Sequence, residues 1–315
     1  MQIVRQPKVY DAIVVGSGAA GGMTALVLCE AGAKVLMLEA GANYDTARDS
    51  KMFQWPYEAP LRGGSTPQKP FGWFDASYGG WTVDGEPYTT ARGSDFLWWR
   101  SRMLGGRTNH WGRISLRMGP YDFKPKSRDG LGLDWPMTYE DVAPYYDKVE
   151  SLIGVFGTKE GLENTPDGVF MPPPSPRCYE LLVKQASDTL HIPCIPSRLS
   201  IITQNHNGRP ACHYCGQCGR GCSTHSNFSS TSVLLPPALA TGKLRIITNA
   251  MAREVLTDES GLASGVSYVN RTDRRDYAVR ASSYAVTSSA WTCRNCSQMK
   301  SITRRVRGAR CRRDG

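Results

Sequence analysis

A glycine-rich turn between two short apolar strands limits this chain more than any other feature. Ala12-Ile13-Val14-Val15 is apolar and mostly β-branched, and it runs into Gly16-Ser17-Gly18-Ala19-Ala20-Gly21. Residues 19–31 then read as a helix of small residues, with Met23, Leu26, Val27 and Ala31 available for packing and Gly32 suited to the helix end. Lys34-Val35-Leu36-Met37-Leu38 is a second apolar strand, and Glu39 stands at its C-terminal end. Strand, glycine turn, helix, strand and acid within about thirty residues is the pattern of a dinucleotide site. Gly16 permits the tight turn, Gly18 lets the backbone approach a pyrophosphate, and Gly21 lets helix and strand pack closely. The helix start offers unpaired N–H groups and a partial positive charge to phosphates. Glu39 accepts hydrogen bonds from ribose hydroxyls and repels a 2′-phosphate. This motif alone does not separate FAD from NAD.

A chain of 315 residues has room for about two domains and a sizeable core. Apolar residues at 40% and charged residues at 21% are ordinary for a soluble globular protein. No apolar run is long enough to span a membrane, and residues 1–8 carry no apolar segment of a signal peptide, so the compartment stays open between cytoplasmic and exported with a partner. The net charge is +10, but residues 291–315 supply +7 of it through eight Lys/Arg against Asp314. The remaining chain is close to balanced, which argues against a nucleic-acid partner.

A second glycine pair, Gly105-Gly106, follows the aromatic run Phe96-Leu97-Trp98-Trp99 and precedes a polar stretch. Paired glycines there suit backbone approach to a flat ring, with Asn109 and His110 in reach of its polar edges. A buried, satisfied histidine is the plain alternative for His110.

Three stretches in order carry a resemblance. The segment Asp11 through Gly41, the segment Trp99-Arg-Ser-Arg-Met-Leu-Gly-Gly-Arg-Thr-Asn-His-Trp-Gly-Arg113, and Leu244 through Leu256 followed by Gly265-Val-Ser-Tyr-Val269 resemble the glucose-methanol-choline (GMC) oxidoreductases. The likeness runs from about Tyr10 to about Ala290. It implies FAD as cofactor and an α/β fold: a Rossmann-like FAD-binding domain with an inserted loop-rich, cysteine-containing cap region and an incomplete substrate domain. The cofactor-binding residues it implies are Gly16, Ser17, Gly18, Gly21, Glu39, Gly105, Gly106, Thr108, Asn109 and His110, with a backbone group near Ala252 at the adenine. His110-Trp111 is similar to the flavin-linked pair of pyranose oxidases, so covalent and non-covalent attachment both stay open.

Four of the ten cysteines crowd into Cys212-His-Tyr-Cys215-Gly-Gln-Cys218-Gly-Arg-Gly-Cys222. Thiolates so closely spaced, with glycines between them, can wrap a compact metal centre. Iron–sulfur, zinc (with His213 or His225 as further ligands) and free or disulfide-bonded thiols are all compatible with the spacing. Cys212, Cys218 and Cys222 resemble the three-iron cluster segment of the FAD-dependent glucose and fructose dehydrogenase large subunits. That likeness favours an iron–sulfur cluster on Cys212, Cys215, Cys218 and Cys222. Cys29, Cys178 and Cys194 read as small hydrophobes.

The domain boundaries expected are 1–120 and 236–290 for the FAD-binding domain, 121–235 for the cap, and 291–315 for a disordered Arg-rich tail. Residues 51–111 hold six of the eight tryptophans and read as an excursion over the flavin face or a loop-rich cap. Helices are expected over 138–153, capped by Thr138 with Asp141 three residues on, and over 177–191; a last strand is expected at 284–288. The apolar face of the first helix is read as Val142, Tyr145, Tyr146, Val149 and Ile153.

The resemblance implies an FAD-dependent oxidoreductase acting on CH–OH groups of a sugar or related alcohol. It implies electron passage through the cluster to an external acceptor, with a small companion subunit and a cytochrome. The family's catalytic histidine lies on a C-terminal segment, and His110, His191, His206, His213 and His225 do not match it. The chain therefore reads as a truncated, inactive form, and 291–315 as the product of a frameshift. Two other readings stand beside this one: a zinc-binding structural or interaction protein with a vestigial FAD site, and an NAD-linked dehydrogenase.

Overall fold

The computed structural model describes residues 9–50, 52–55, 57, 58, 79, 80, 86, 88–94, 96, 98 and 100–281. The strand expected at 284–288, the tail from 291, and Trp73, Trp81 and Trp99 lie outside the described residues. In chain order the elements are β1 (Val9–Tyr10), β2 (Ala12–Val15), α1 (Ala19–Glu30), β3 (Val35–Leu38), β4 (Gly79–Gly80), β5 (Arg100–Ser101), α2 (Pro125–Asp129), α3 (Tyr139–Ile153), α4 (Cys178–Thr189), α5 (Leu235–Ala240), β6 (Leu244–Ile247), β7 (Ala250–Thr257), β8 (Ala263–Asn270) and β9 (Asp276–Ala281). The fold is α/β, as expected.

The chain divides into two compact units, residues 1–109 with 229–315, and residues 110–228. The junctions fall earlier than the boundaries at 120/121 and 235/236 that the sequence suggests. Residues 110–120 belong with the second unit because Ser115 N–H donates to Arg198 O (2.9 Å) and Ile114 bridges Leu199. Residues 229–235 belong with the first because Ser230 N–H donates to Thr108 Oγ1 (3.0 Å), and Leu234 lies against α1 at Gly22.

In the first unit, β2 and β6 flank β3 in a three-stranded parallel sheet, with Ala12 opposite Val35 and Val35 opposite Leu244. Parallel strands are covered on both faces, so they read as continuous apolar runs rather than alternations. Ile13, Val14 and Val35 through Leu38 are accordingly buried. Helix α1 buries Gly21, Gly22, Ala25, Leu26 and Cys29. Val27 (55% exposed) and Ala31 face outward, which corrects the expected packing set. The helix turns its smallest residues inward because a Cβ on Gly22 would fall on Ser230 Oγ and within 3.0 Å of Leu234 Cδ1. Cys29 is buried, and burial pushes its thiol pKa up.

A second sheet runs β1-β9-β8-β7, antiparallel except where β1 joins β9. Ile13, Leu36 and Leu38 from the first sheet share one core with Ala250, Val266, Tyr268 and Ala281 from the second. Ala250 N–H donates to Glu39 O (2.8 Å) and Asn249 N–H to Gly41 O (2.8 Å), which brings the start of β7 over the end of β3.

The second unit is loop-rich. Helix α3 begins where its cap predicts, with Thr138 N–H donating to Asp141 Oδ2 (2.8 Å). Its inner face differs from the expected one. Ile153 is buried and Val142, Tyr146 and Val149 are half-buried, but Tyr145 is exposed and Glu150 is buried. Glu150 goes inward because Arg117 meets it there, with Nε donating to Oε1 (2.8 Å) and Nη2 to Oε2 (2.5 Å). Helix α4 buries none of its residues. Among the described residues, no helix is long and apolar enough to cross a membrane.

Candidate dinucleotide site

The site grows from the turn between β2 and α1. Gly16 has φ +87, a conformation that side-chain-bearing residues rarely adopt. Gly18 precedes the helix with an ordinary φ of −65, and an added Cβ there would meet nothing within 4 Å. No side chain caps the helix start, and its first turn has no acid. Its leading N–H groups are thus left for an anion, in the geometry that favours phosphate.

Glu39 lies beside this turn, buried at the end of β3. Its Oε2 accepts from Ser17 N–H (2.9 Å) and from Ser17 Oγ (2.5 Å), and its Oε1 accepts from Gly41 N–H (2.7 Å). The Gly-Gly segment closes the other side. Gly105 N–H donates to Ser17 Oγ (2.8 Å), and Thr108 Oγ1 donates to Gly105 O (2.6 Å). Asn109 Nδ2 donates to Leu104 O (2.8 Å), while Asn109 Oδ1 accepts from Thr231 Oγ1 (2.9 Å). Gly105 and Gly106 both have positive φ, +83 and +52. A Cβ on Gly105 would press on Thr231 and Asn109, whereas one on Gly106 would meet nothing within 4 Å.

Together these stretches line one cavity of about 370 Å³, with Ala250, Met251 and Ala252 of β7 on its wall. That volume lies in the range of small-molecule sites. Of the residues named from sequence, Gly16, Ser17, Gly18, Gly21, Glu39, Gly106, Thr108 and Ala252 line it. Gly105 and Asn109 stand directly behind, held by the bonds above. His110 is buried and begins the second unit.

The sequence reading missed the cationic wall. Arg100, Arg102 and Arg107 also line the cavity. Arg102 Nε donates to both Glu86 carboxylate oxygens (2.7 and 3.0 Å), Arg271 Nη2 is 3.2 Å from Glu86 and Arg100 Nη1 is 3.6 Å from it. Among the described residues one carboxylate stands among three guanidiniums, a positive wall suited to a diphosphate. Arg100 lies against the edge-to-face pair Tyr88 and Trp98, 5.0 Å from each ring centre, and burial draws its pKa down. The three cavity-lining arginines, Arg100, Arg102 and Arg107, all stand in the run Trp99 to Arg113, beside its glycine pair. Gly41 was missed in the same way. A Cβ there would collide with the backbone of Arg102 and Met103, so this glycine lets the turn after β3 lie against the chain just past β5.

The cysteine loop behaves differently. Cys212, Cys215, Cys218 and Cys222 are all free thiols. Cys212 Sγ accepts from Tyr214 N–H (3.3 Å), and Cys222 Sγ accepts from Ser226 N–H (3.2 Å). Burial pushes the pKa of Cys212 and Cys218 up. Burial acts the same way on Cys222, but hydrogen bonds from Thr224, Asn227 and Ser226 outweigh it and bring that thiol down. Among the described residues, no three His, Cys, Asp or Glu side chains gather in a metal-binding group. The four expected cluster ligands share one loop, close enough that the charges of Cys215, Cys218 and Cys222 also raise the Cys212 pKa, and the sulfurs of Cys212 and Cys222 accept from backbone N–H groups. As arranged they form no site that holds a cluster.

An uncapped helix start, an acid at the end of the next strand and Gly106 facing the same groove define the class, a dinucleotide-binding fold. The chain belongs to the GMC oxidoreductase family, whose model matches residues 10–296. GMC oxidoreductases bind FAD, and the groove fits that cofactor in its open glycine faces and its free helix N–H groups. The chain is 30% identical over 308 residues to paromamine 6′-oxidase of Streptomyces fradiae, covering 96% of this chain and 50% of that protein. It is 26% identical over 295 residues to the fructose dehydrogenase large subunit of Gluconobacter japonicus, covering 88% and 51%. The crystal structure of pyridoxine 4-oxidase from Mesorbium loti superposes with a TM-score of 0.52 at 18% identity, over 88% of this chain and 48% of that one, and shares the fold. The chain spans about half the length of the curated relatives it matches.

Proposed function

We propose that this chain holds FAD in the groove between the Gly16–Gly21 turn and the Gly105–Gly106 segment, and that it serves the oxidation of a CH–OH group on a sugar or related alcohol. The observation that carries the reading is the single cavity shared by the uncapped start of α1, Glu39 and Gly106. The substrate class is supported by the relatives, which are named as oxidases or dehydrogenases of paromamine, 2-methyl-1,2-propanediol and fructose. Bound FAD supplies a hydride acceptor. The chain's own part is to hold the diphosphate on the start of α1 and beside Arg102, to accept a ribose hydroxyl on Glu39, and to keep the ring against the side-chain-free face of Gly106. No residue is assigned as the catalytic base; the five histidines all fall in residues 110–228.

Electron passage through an iron–sulfur cluster rests on the Cys212–Cys222 spacing and its resemblance to the cluster segment of the sugar dehydrogenases. A companion subunit is supported by the name of the fructose dehydrogenase relative, a large subunit. A cytochrome acceptor rests on the resemblance alone.

The test is direct. Purified chain mixed with FAD is expected to retain a yellow chromophore through gel filtration. Glu39→Ala is expected to weaken FAD binding by roughly tenfold or more, the loss of one hydrogen bond to a charged acceptor. Binding of NADH without FAD would support the NAD-linked reading, and stoichiometric zinc without flavin the interaction module.

A further inference from the structure

We infer that Ser17 is a positioning residue that couples the nucleotide turn to the glycine pair: it sets where the Gly105–Gly106 segment stands relative to Glu39, and so acts on the ring end of the cofactor more than on its diphosphate. The inference rests on the FAD reading above. The directions of the hydrogen bonds carry it. A serine hydroxyl has one proton. Ser17 Oγ accepts from Gly105 N–H (2.8 Å), so its proton goes to Glu39 Oε2 (2.5 Å). The backbone N–H of the same serine donates to that same oxygen (2.9 Å). One residue therefore ties two segments 88 positions apart to the acid at the end of β3.

The far side of the glycine is held just as firmly. Gly105 O accepts from Thr108 Oγ1 (2.6 Å), which in turn accepts from Ser230 N–H (3.0 Å). The Gly105 N–H and C=O are thus fixed by hydroxyls from two directions, and the next residue, Gly106, presents an open face to the cavity. Ser17 is fully buried. Water cannot replace its hydroxyl without rearrangement, so removing it leaves Gly105 N–H without its acceptor inside the protein. The ADP part has its own supports in the start of α1, in Arg102 and in Glu39, which keeps the N–H groups of Ser17 and Gly41 when the hydroxyl is removed.

The experiment compares Ser17→Ala, Ser17→Thr and the unaltered chain, with ADP and FAD as separate probes. For Ser17→Ala we expect ADP affinity within about threefold of the unaltered chain and FAD affinity lowered by roughly tenfold or more. The visible bands of the bound flavin should also shift toward those of free flavin. Ser17→Thr keeps the hydroxyl and should restore both. Equal losses for ADP and FAD would overturn the inference, because Ser17 would then act on the nucleotide part. So would a Ser17→Ala protein whose FAD affinity and spectrum match the unaltered chain. Should Ser17→Ala not fold, Ser17→Cys fills nearly the same volume with a weak donor and acceptor, and the same comparison decides. If the unaltered chain binds ADP but no flavin, the FAD reading falls and the inference with it.

Discussion

Gly18 and Gly22 stand one helical turn apart and do different things. Gly22 faces Ser230 and Leu234 inside the first unit, so Gly22→Val should overpack that contact and lower stability by about 2 kcal/mol, read as a shifted urea midpoint. Gly18 has an ordinary φ and empty space where a Cβ would go. Gly18→Ala should therefore leave the melting temperature nearly unchanged while reducing FAD affinity by roughly tenfold, because its methyl occupies the approach to the helix N–H groups. A melting change in Gly18→Ala as large as in Gly22→Val would contradict this division. Gly16 was legible from sequence because the tight turn needs glycine for backbone reasons, and Gly18 because a pyrophosphate approaching the helix start needs the space a side chain would fill. Gly22 and Gly41 were not, since their constraint is a neighbour far away in the chain.

At the scale of elements, α3 is held by a charge rather than by the apolar stripe its spacing suggests. Arg117 and Glu150 are both buried, and Glu150 also accepts from Val169 N–H (2.9 Å). These contacts hold the Arg117 guanidinium well above its usual range. Glu150→Ala leaves a buried guanidinium with Asp147, Tyr139 and the Tyr146 ring, and should cost about 3–5 kcal/mol in chemical denaturation. The loop from Glu160 to Asp167 gives a pH effect. Backbone N–H groups of Glu160 and Gly161, both at 2.9 Å, together with Arg198 hold the Asp167 carboxyl below its ordinary range. A depressed folded pKa adds stability that is present above the unfolded value of roughly 4 and lost as pH falls through the folded one. Asp167→Asn should then cost about 1 kcal/mol at pH 7, with the difference from the unaltered chain closing as the solution is acidified below that range.

At the scale of the whole molecule, the thiols give the sharpest check. Seven described cysteines are free, so at least seven should react with a thiol reagent in denaturant without prior reduction. Iron and acid-labile sulfide at cluster stoichiometry in the anaerobically purified chain would show that Cys212, Cys215, Cys218 and Cys222 converge when metal is supplied. Their absence, with flavin bound, would leave the cysteine loop as thiols held by their own backbone. Helix α4 exposes Tyr179, Leu181, Leu182 and Val183, a surface that no periodicity argument foresaw, because spacing reports that a helix has an apolar side and not whether anything covers it.

By itself, the order of residues determined the turn at Gly16, the helix after it, the two apolar strands and the acid at 39, because each follows from backbone conformation and side-chain type within a few residues. It also placed the glycine pair at 105. Only the tertiary structure decided that Gly105 meets Ser17, that Arg102 and Arg271 share Glu86 beside the groove, and that among the described residues the closely spaced cysteines form no metal-binding group. Those outcomes depend on where distant segments come to rest and which way their hydrogen-bonding groups then point. Local spacing does not encode them.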